Sequence, residues 1–268
     1  MVQELSFGYS PCPNDTFMFN ALAGGAVRVA GCRITPQLHD VETLNTLAMD
    51  DVLDISKLSF YAWLTVKERY RLLGSGAAMG FGCGPVLIAK KALAPQDLRH
   101  CRVVLPGRWT TAHLLLRLWA PDASRRLFTT YDRIFDTLAA GQADCGVIIH
   151  ESRFTFEAAG FVPVVDLGAW WETRTGLPIP LGGIAARSSL GGPLIDKIDA
   201  ALNESIGRAM EHPEQTLPYV RQHAQEMDQA VLDAHIRTFV NDFSLALTDP
   251  GRRAIDTLET MARAAGAI

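Results

Sequence analysis

An α/β fold of two lobes with a ligand cleft between them is predicted for this chain of 268 residues by three observations. Short β-type runs alternate with helical patterns over most of the chain, which is how strand–helix–strand units and a parallel sheet read in sequence. Two apolar strands, GPVLIAK (84–90) and GLPIPLGG (176–183), enclose an α/β block of about 90 residues, an ordinary domain size. From Leu190 the pattern turns largely helical, as expected of a tail that packs back on the first lobe.

The elements follow in order. LSFGY (5–9) reads as a strand, the turn-rich SPCPNDT follows, and a helix runs from Phe17 to Ala23. RITPQL (33–38) is the next strand, and Asp40 is placed to cap a helix over 41–49. LDIS (53–56) is a short buried strand before a helix over 59–67. VVL (103–105) leads through PGRWTT into a helix over 111–119. RLFTT (126–130) precedes a helix over 132–140, which Gly141 ends. CGVII (145–149), VPVVDL (162–167) and GIAA (183–186) complete the strands. In the tail, Pro213 suits the first turn of a helix, and two more helices fill 228–243 and 250–265.

A chain that leaves one lobe, builds a second and returns by a parallel strand has a cleft. This is the plan of a two-lobed periplasmic-binding-protein type II-like fold. It predicts a discontinuous first lobe (1–88 and 180–268, with the C-terminal helices) and a second lobe over 89–179. In open α/β lobes the ligand sits beyond the carboxyl ends of the strands. Those ends are SPCPND, HDVET, SKLS, PGRWTT and HESR.

A net charge of −4 and no Lys/Arg run exclude a nucleic-acid partner. No window approaches the ~20 apolar residues of a membrane span. MVQELSFGYSPCPND lacks the basic start and apolar stretch of a secretory leader, so a cytoplasmic protein is expected. Five widely spaced cysteines with no C-x-x-C read as reduced thiols, not as disulfides or a zinc site.

Candidate chemistry centres on the histidines. His150 ends the apolar run CGVII, so it is either a satisfied core histidine or a base delivered to the cleft; His39 also ends a strand and competes with it. The other five fall in helices or connections, where packing or solvation is the simpler role. G-x-S-x-G and H-E-x-x-H are absent, which removes a nucleophile elbow and a metalloprotease-type site. GSGAAMGFGCGP (74–85) has five glycines but runs into a strand, where a dinucleotide loop needs a helix. No metal and no cofactor are therefore expected. SPCPNDTF, SKLS and PGRWTTAH each place hydroxyls and backbone amides at a helix start, with Asn14, Asp15 and Thr16 as caps. Three such loops on one cleft suit a carboxylate or polyol ligand. The pair Trp170–Trp171 reads as lid packing or as an aromatic wall for a flat ligand.

SPCPNDTF, HDVETLN, SKLS, GCGP, PGRWTTA, GVIIHESRFT and DLGAWWETRTGLPIPLGG, in this order and spacing, resemble 1,4-dihydroxy-6-naphthoate synthases of the futalosine route to menaquinone. The likeness runs from about Phe7 to the helical tail and is weakest after Gly251. HESRFT with GAWWE and TGLP-x-PLG carries the specificity; a lone PGR-x-TTA would not. The resemblance implies a cytoplasmic lyase that converts cyclic dehypoxanthine futalosine to 1,4-dihydroxy-6-naphthoate without metal or nucleotide. It assigns proton acceptance to His150, and substrate contacts to Lys57, Leu58, Ser59, Thr111 and Ala112. Neutral His150 would remove an acidic C–H proton, and aromatisation would drive carbon–carbon cleavage. Ser59 and Thr111 would hold the substrate's carboxylate or hydroxyls, and activity would rise through a pKa near 6.5. Two alternatives are a chorismate dehydratase of the same pathway, which is not associated with HESRFT or GAWWE, and a non-enzymatic solute-binding protein. No oligomeric state is read from the sequence.

Overall fold

The computed structural model describes residues 2–224 and 228–268. The first lobe opens with β1 (Gln3–Tyr9), α1 (Pro13–Ala23), β2 (Cys32–Leu38), α2 (Val41–Met49), β3 (Ile55–Ser59) and α3 (Phe60–Val66), then β4 (Tyr70–Leu72) and β5 (Ala78–Gly80). The central block holds β6 (Val86–Ala89), β7 (Val103–Leu105), α4 (Thr111–Trp119), β8 (Arg126–Phe128) and α5 (Ile134–Ala139). It continues with β9 (Cys145–Ile148), α6 (Ser152–Thr155), β10 (Val162–Asp166) and α7 (Leu167–Thr175). The chain returns along β11 (Ile179–Arg187) and ends in α8 (Gly192–Glu211), α9 (Pro213–His223), α10 (Gln229–Phe239), α11 (Asp242–Leu245) and α12 (Asp249–Ala264).

Two sheets result. The first has the order β2-β1-β3-β11-β4, with β5 also paired to β11; the second has the order β10-β6-β9-β7-β8. The chain therefore passes between sheets before β6 and again before β11. The expected lobe limits at 88/89 and 179/180 fall inside those two strands, because an apolar run carries no mark of where a crossing occurs. The sheets are mixed, not parallel throughout. β1 is parallel to β2 and β3, and β7 to β8 and β9, whereas β11 is antiparallel to β3, β4 and β5, and β6 to β9 and β10. The returning strand has no preceding crossover helix in its own sheet to force a parallel entry.

The elements obey local signals. Asp40 caps α2 by accepting from the amides of Glu42 and Thr43, a contact worth about 0.5–2 kcal/mol. Pro213 opens α9 as expected. α8 carries Ile195, Ile198, Leu202 and Ile206 on one buried stripe. That stripe shares a core with Phe7, Phe19 and Leu22, and Ser205 Oγ donates to Met18 O at 2.7 Å. A second core spans both lobes, from Phe60 and Met79 through Leu105 and Leu115 to Leu258 of α12. No helix among the described residues is long and apolar enough to cross a membrane.

Two differences matter for the site. α1 begins at Pro13, not Phe17, so Asn14, Asp15 and Thr16 lie inside its first turn and do not cap it. Pro at the first helical position loses no hydrogen bond, so a turn-rich string can already be helix. Strand β3 likewise extends to Ser59, which puts Lys57, Leu58 and Ser59 at its carboxyl end.

Candidate functional site

The carboxyl ends of β3 and β9, the start of α4, the early turn of α1, the crossing at 83–85 and the start of β11 surround one cavity of about 680 Å³, its mouth included. Lys57, Leu58, Ser59, Thr111, Ala112 and His150 all line it. His39 does not; its amide donates to Tyr9 O at the end of β2's partner strand. Trp171 is fully buried and its Nε1 donates to Pro178 O, so it is a core residue, and neither Trp170 nor Trp171 reaches the cavity.

His150 stands two residues beyond β9, at φ +58°. A left-handed backbone costs a non-glycine residue about 1–3 kcal/mol and persists only where the surroundings over-determine it. Here Arg153 supplies part of that constraint: it donates to Gly84 O and reaches Asp166 Oδ2 at 3.1 Å. Asp166 in turn accepts from the amides of Gly168 and Ala169 at the start of α7. Gly84 and Gly168 meet backbone to backbone; a Cβ on Gly84 would sit 2.2 Å from Gly168 Cα. The strings GCGP, HESR and DLGAW thus form one packed knot behind the histidine.

The imidazole rests edge-on against Tyr131, with centroids 4.9 Å apart, and stacks on His235 at 6.1 Å and 21°. Its Nε2 is buried without a hydrogen-bond partner among the described residues. Burial pushes the His150 pKa down to about 4, with the Lys57 charge acting in the same direction and Asp15 opposing it. The ring is therefore neutral at physiological pH. The inflection expected near 6.5 for an unperturbed ring is therefore expected near 4 instead.

The three loops expected to capture an anion already hold the protein's own groups. Asp15 accepts from Ser10 N and Oγ at 3.1 and 2.7 Å, from Asn14 Nδ2 at 2.9 Å and from Lys57 Nζ at 2.6 Å. Glu42 accepts from the amides of Arg108 (2.6 Å) and Trp109 (3.0 Å) in the PGRW loop. Burial raises the Glu42 carboxyl above its ordinary range, and those amides oppose the rise. The Ser59 amide donates to Asn45 Oδ1 at 2.9 Å. What stays open is the start of α4. Thr110 is its cap, taking the amide of His113, so the amides of Thr111 and Ala112 have no carbonyl one turn back within the helix.

The two hydroxyls differ. Thr111 Oγ1 donates to Leu181 O at 2.7 Å and accepts from Tyr61 N at 3.3 Å, so its proton is committed to joining α4, β11 and α3. Ser59 Oγ accepts from Asn45 Nδ2 at 3.2 Å and keeps its own O–H to donate to a ligand. Ser59→Ala is therefore expected to lower kcat/KM several-fold, the equivalent of about 1 kcal/mol, with little change in Tm. Thr111→Val is expected to act mainly on stability, by about 1–3 kcal/mol, because it strands a buried carbonyl and amide. Paired thermal melts and steady-state kinetics check both; the reverse pattern would mean that the ligand meets the Thr111 hydroxyl, not the amides.

A sequence profile of the family described as Menaquinone biosynthesis matches residues 5–264. The chain is 48% identical to a 1,4-dihydroxy-6-naphtoate synthase of Thermus thermophilus, over 99% of this chain and 96% of the relative. It is 41% identical to the enzyme of the same name from Streptomyces coelicolor, over 98% and 94%. This chain belongs to the 1,4-dihydroxy-6-naphthoate synthase family of menaquinone biosynthesis. A solved structure from Archaeoglobus fulgidus superposes with a TM-score of 0.93 at 32% identity, covering 99% of this chain and 98% of that one. The alkanesulfonate-binding protein SsuA of Xanthomonas axonopodis pv. citri follows at TM-score 0.71 and 16% identity, over 98% and 93%. At that identity only the fold is shared, and it is the two-lobed periplasmic-binding-protein fold predicted from sequence.

Sequence reasoning missed four groups in or behind this synthase-family site. His235 lies 85 positions from His150 in a helix read as tail, although Leu232, His235 and Phe239 share one buried face of α10. Asn45 and Glu42 stood inside HDVETLN with no role attached. Asp15, expected as a helix cap, is the partner of Lys57.

Proposed function

We propose that this member of the family cleaves a carbon–carbon bond of cyclic dehypoxanthine futalosine to release 1,4-dihydroxy-6-naphthoate, with His150 as general base. One observation carries the reading: a neutral imidazole on the cavity wall whose Nε2 has no hydrogen-bond partner among the described residues. A base must be deprotonated and within reach of the proton it removes. In this mechanism His150 accepts a proton from an acidic C–H of the substrate. The electron pair left behind enters the new aromatic ring, the pair of the broken carbon–carbon bond leaves with the departing fragment, and the proton passes from His150 to that fragment. The amides of Thr111 and Ala112 and the Ser59 hydroxyl hold the substrate's carboxylate or hydroxyls, and Lys57 and Leu58 complete the wall. Lys57 is paired with Asp15, so the wall presents little net charge and suits a flat, mostly apolar ring system. Closure of the lobes excludes water during the step.

The test is direct. Purified protein is expected to convert cyclic dehypoxanthine futalosine to 1,4-dihydroxy-6-naphthoate in buffer with a chelator and no nucleotide, and to leave chorismate untouched. Consumption of chorismate would transfer the assignment to a dehydratase. Tight binding without product from either compound would make the protein a solute binder, and dependence on added metal would overturn the proposed mechanism.

A further inference from the structure

Helix α10 brings a second histidine against the first. His235 is wholly buried, and its Nε2 lies 2.9 Å from Asn14 Oδ1. Asn14 donates its amide nitrogen to Asp15 Oδ1 at 2.9 Å, so the oxygen is the atom turned toward His235. Nε2 of His235 therefore carries a proton and donates it. Nδ1 has no hydrogen-bond partner among the described residues and lies 3.8 Å from Glu151 Oε2. Phe239, one turn on, packs against the ring at 4.7 Å and 48°.

The His235 ring is held by its acceptor, Asn14 Oδ1, and by Phe239, and its face lies nearly parallel to that of His150. Tyr131 meets His150 by its edge. The Nε2 of His150 has no hydrogen-bond partner among the described residues to set the ring plane. Packing against these two rings sets it instead. We infer that His235, tethered through Asn14 to the Lys57–Asp15 pair, is a positioning residue that fixes the ring plane of His150. The inference rests on the reading of His150 as general base.

The titratable groups facing this pair are Lys57, Asp15, Tyr131 and Glu151, and neither histidine is easily charged there. Burial drives the His235 pKa well below its ordinary value, with the His150 and Lys57 charges adding to it. Burial keeps both rings neutral, and a neutral His150 is the working form of a base.

The test uses four proteins: the parent, His235→Ala, His150→Asn and the double variant. His235→Ala is expected to lower kcat about 10- to 100-fold, the scale of a small misplacement of a catalytic group, and to change KM less than about threefold. In the His150→Asn background the same change is expected to cost less than about twofold. Independently of turnover, NMR titration of the His150 imidazole in the free protein is expected to move up from about 4 in His235→Ala, as water fills the vacated space. His235→Gln, which keeps a donor for Asn14 without the ring, serves if the alanine variant does not fold, and should show the same loss in kcat. Unchanged kcat and an unchanged His150 titration would overturn the inference while leaving the base reading intact. Equal losses in both backgrounds would also overturn it, since His235 would then act on the fold and not on His150. Normal turnover by His150→Asn alone would remove the base, and with it the inference.

Discussion

Replacing His150 with asparagine is expected to lower kcat by roughly 10²–10⁴ while leaving the protein folded, the usual worth of a placed proton acceptor. The structure sharpens this in two ways. His150 is not a satisfied core histidine: its Nε2 has no hydrogen-bond partner among the described residues, so asparagine strands none there. Relief of a left-handed backbone also favours asparagine, which tolerates φ near +58° better than most residues. The melting temperature should therefore stay close to the parent's, and any loss of rate is a loss of chemistry. The pH profile supplies a second reading. A base works when deprotonated, so kcat/KM rises with pH through the free-enzyme pKa, and burial places that near 4. Between pH 6 and 8 His150 should contribute no inflection. A profile that climbs through 6.5 would mean that the ring is solvated in the working enzyme, and near-normal turnover by a folded His150→Asn would remove it from the mechanism.

The sequence made the scaffold of this site readable more fully than its wiring. Periodicity and punctuation located β1, β2, α2, α4, α9 and α12, because each depends on neighbours a few positions away: Asp40 on the amides of Glu42 and Thr43, Pro213 on a vacant first turn. β4 and β5 escaped because three-residue strands carry too few alternations to show a period. α7 escaped because its apolar residues do not sort by face: Ala169 and Trp170 lie off the buried face of Leu167, Gly168 and Trp171. The candidate residues His150, Ser59 and Thr111 were visible by motif, yet what each atom does was not. Whether Thr111 Oγ1 serves a ligand or Leu181 O depends on a contact across 70 positions, and no local pattern encodes it. The same holds for the anion loops. SPCPND and PGRW do present donors to a negative group, but the groups are Asp15 and Glu42, supplied by the fold itself.

Breaking the Lys57–Asp15 pair is expected to be the most damaging single change to stability in the cleft. The two side chains are 8% and 1% exposed and meet at 2.6 Å. Removing one partner of a buried pair leaves an uncompensated charge and typically costs 3–5 kcal/mol, whereas replacing both can be nearly neutral. Lys57→Met strands a carboxylate that still has Ser10 and Asn14 as donors, while Asp15→Asn strands the ammonium and also disturbs the Asn14 tether to His235. Each single variant should melt well below the parent, Asp15→Asn the lower of the two, and the double variant should lose less than the sum. The pair also acts on the base from opposite sides, since the Lys57 charge lowers the His150 pKa and the Asp15 charge raises it. NMR titration of His150 should therefore move up from about 4 in Lys57→Met and further down in Asp15→Asn. Shifts of the same sign in both variants would show that loosened packing, not the two charges, governs the ring. Additive melting losses would show that the two side chains are not coupled as a buried ion pair.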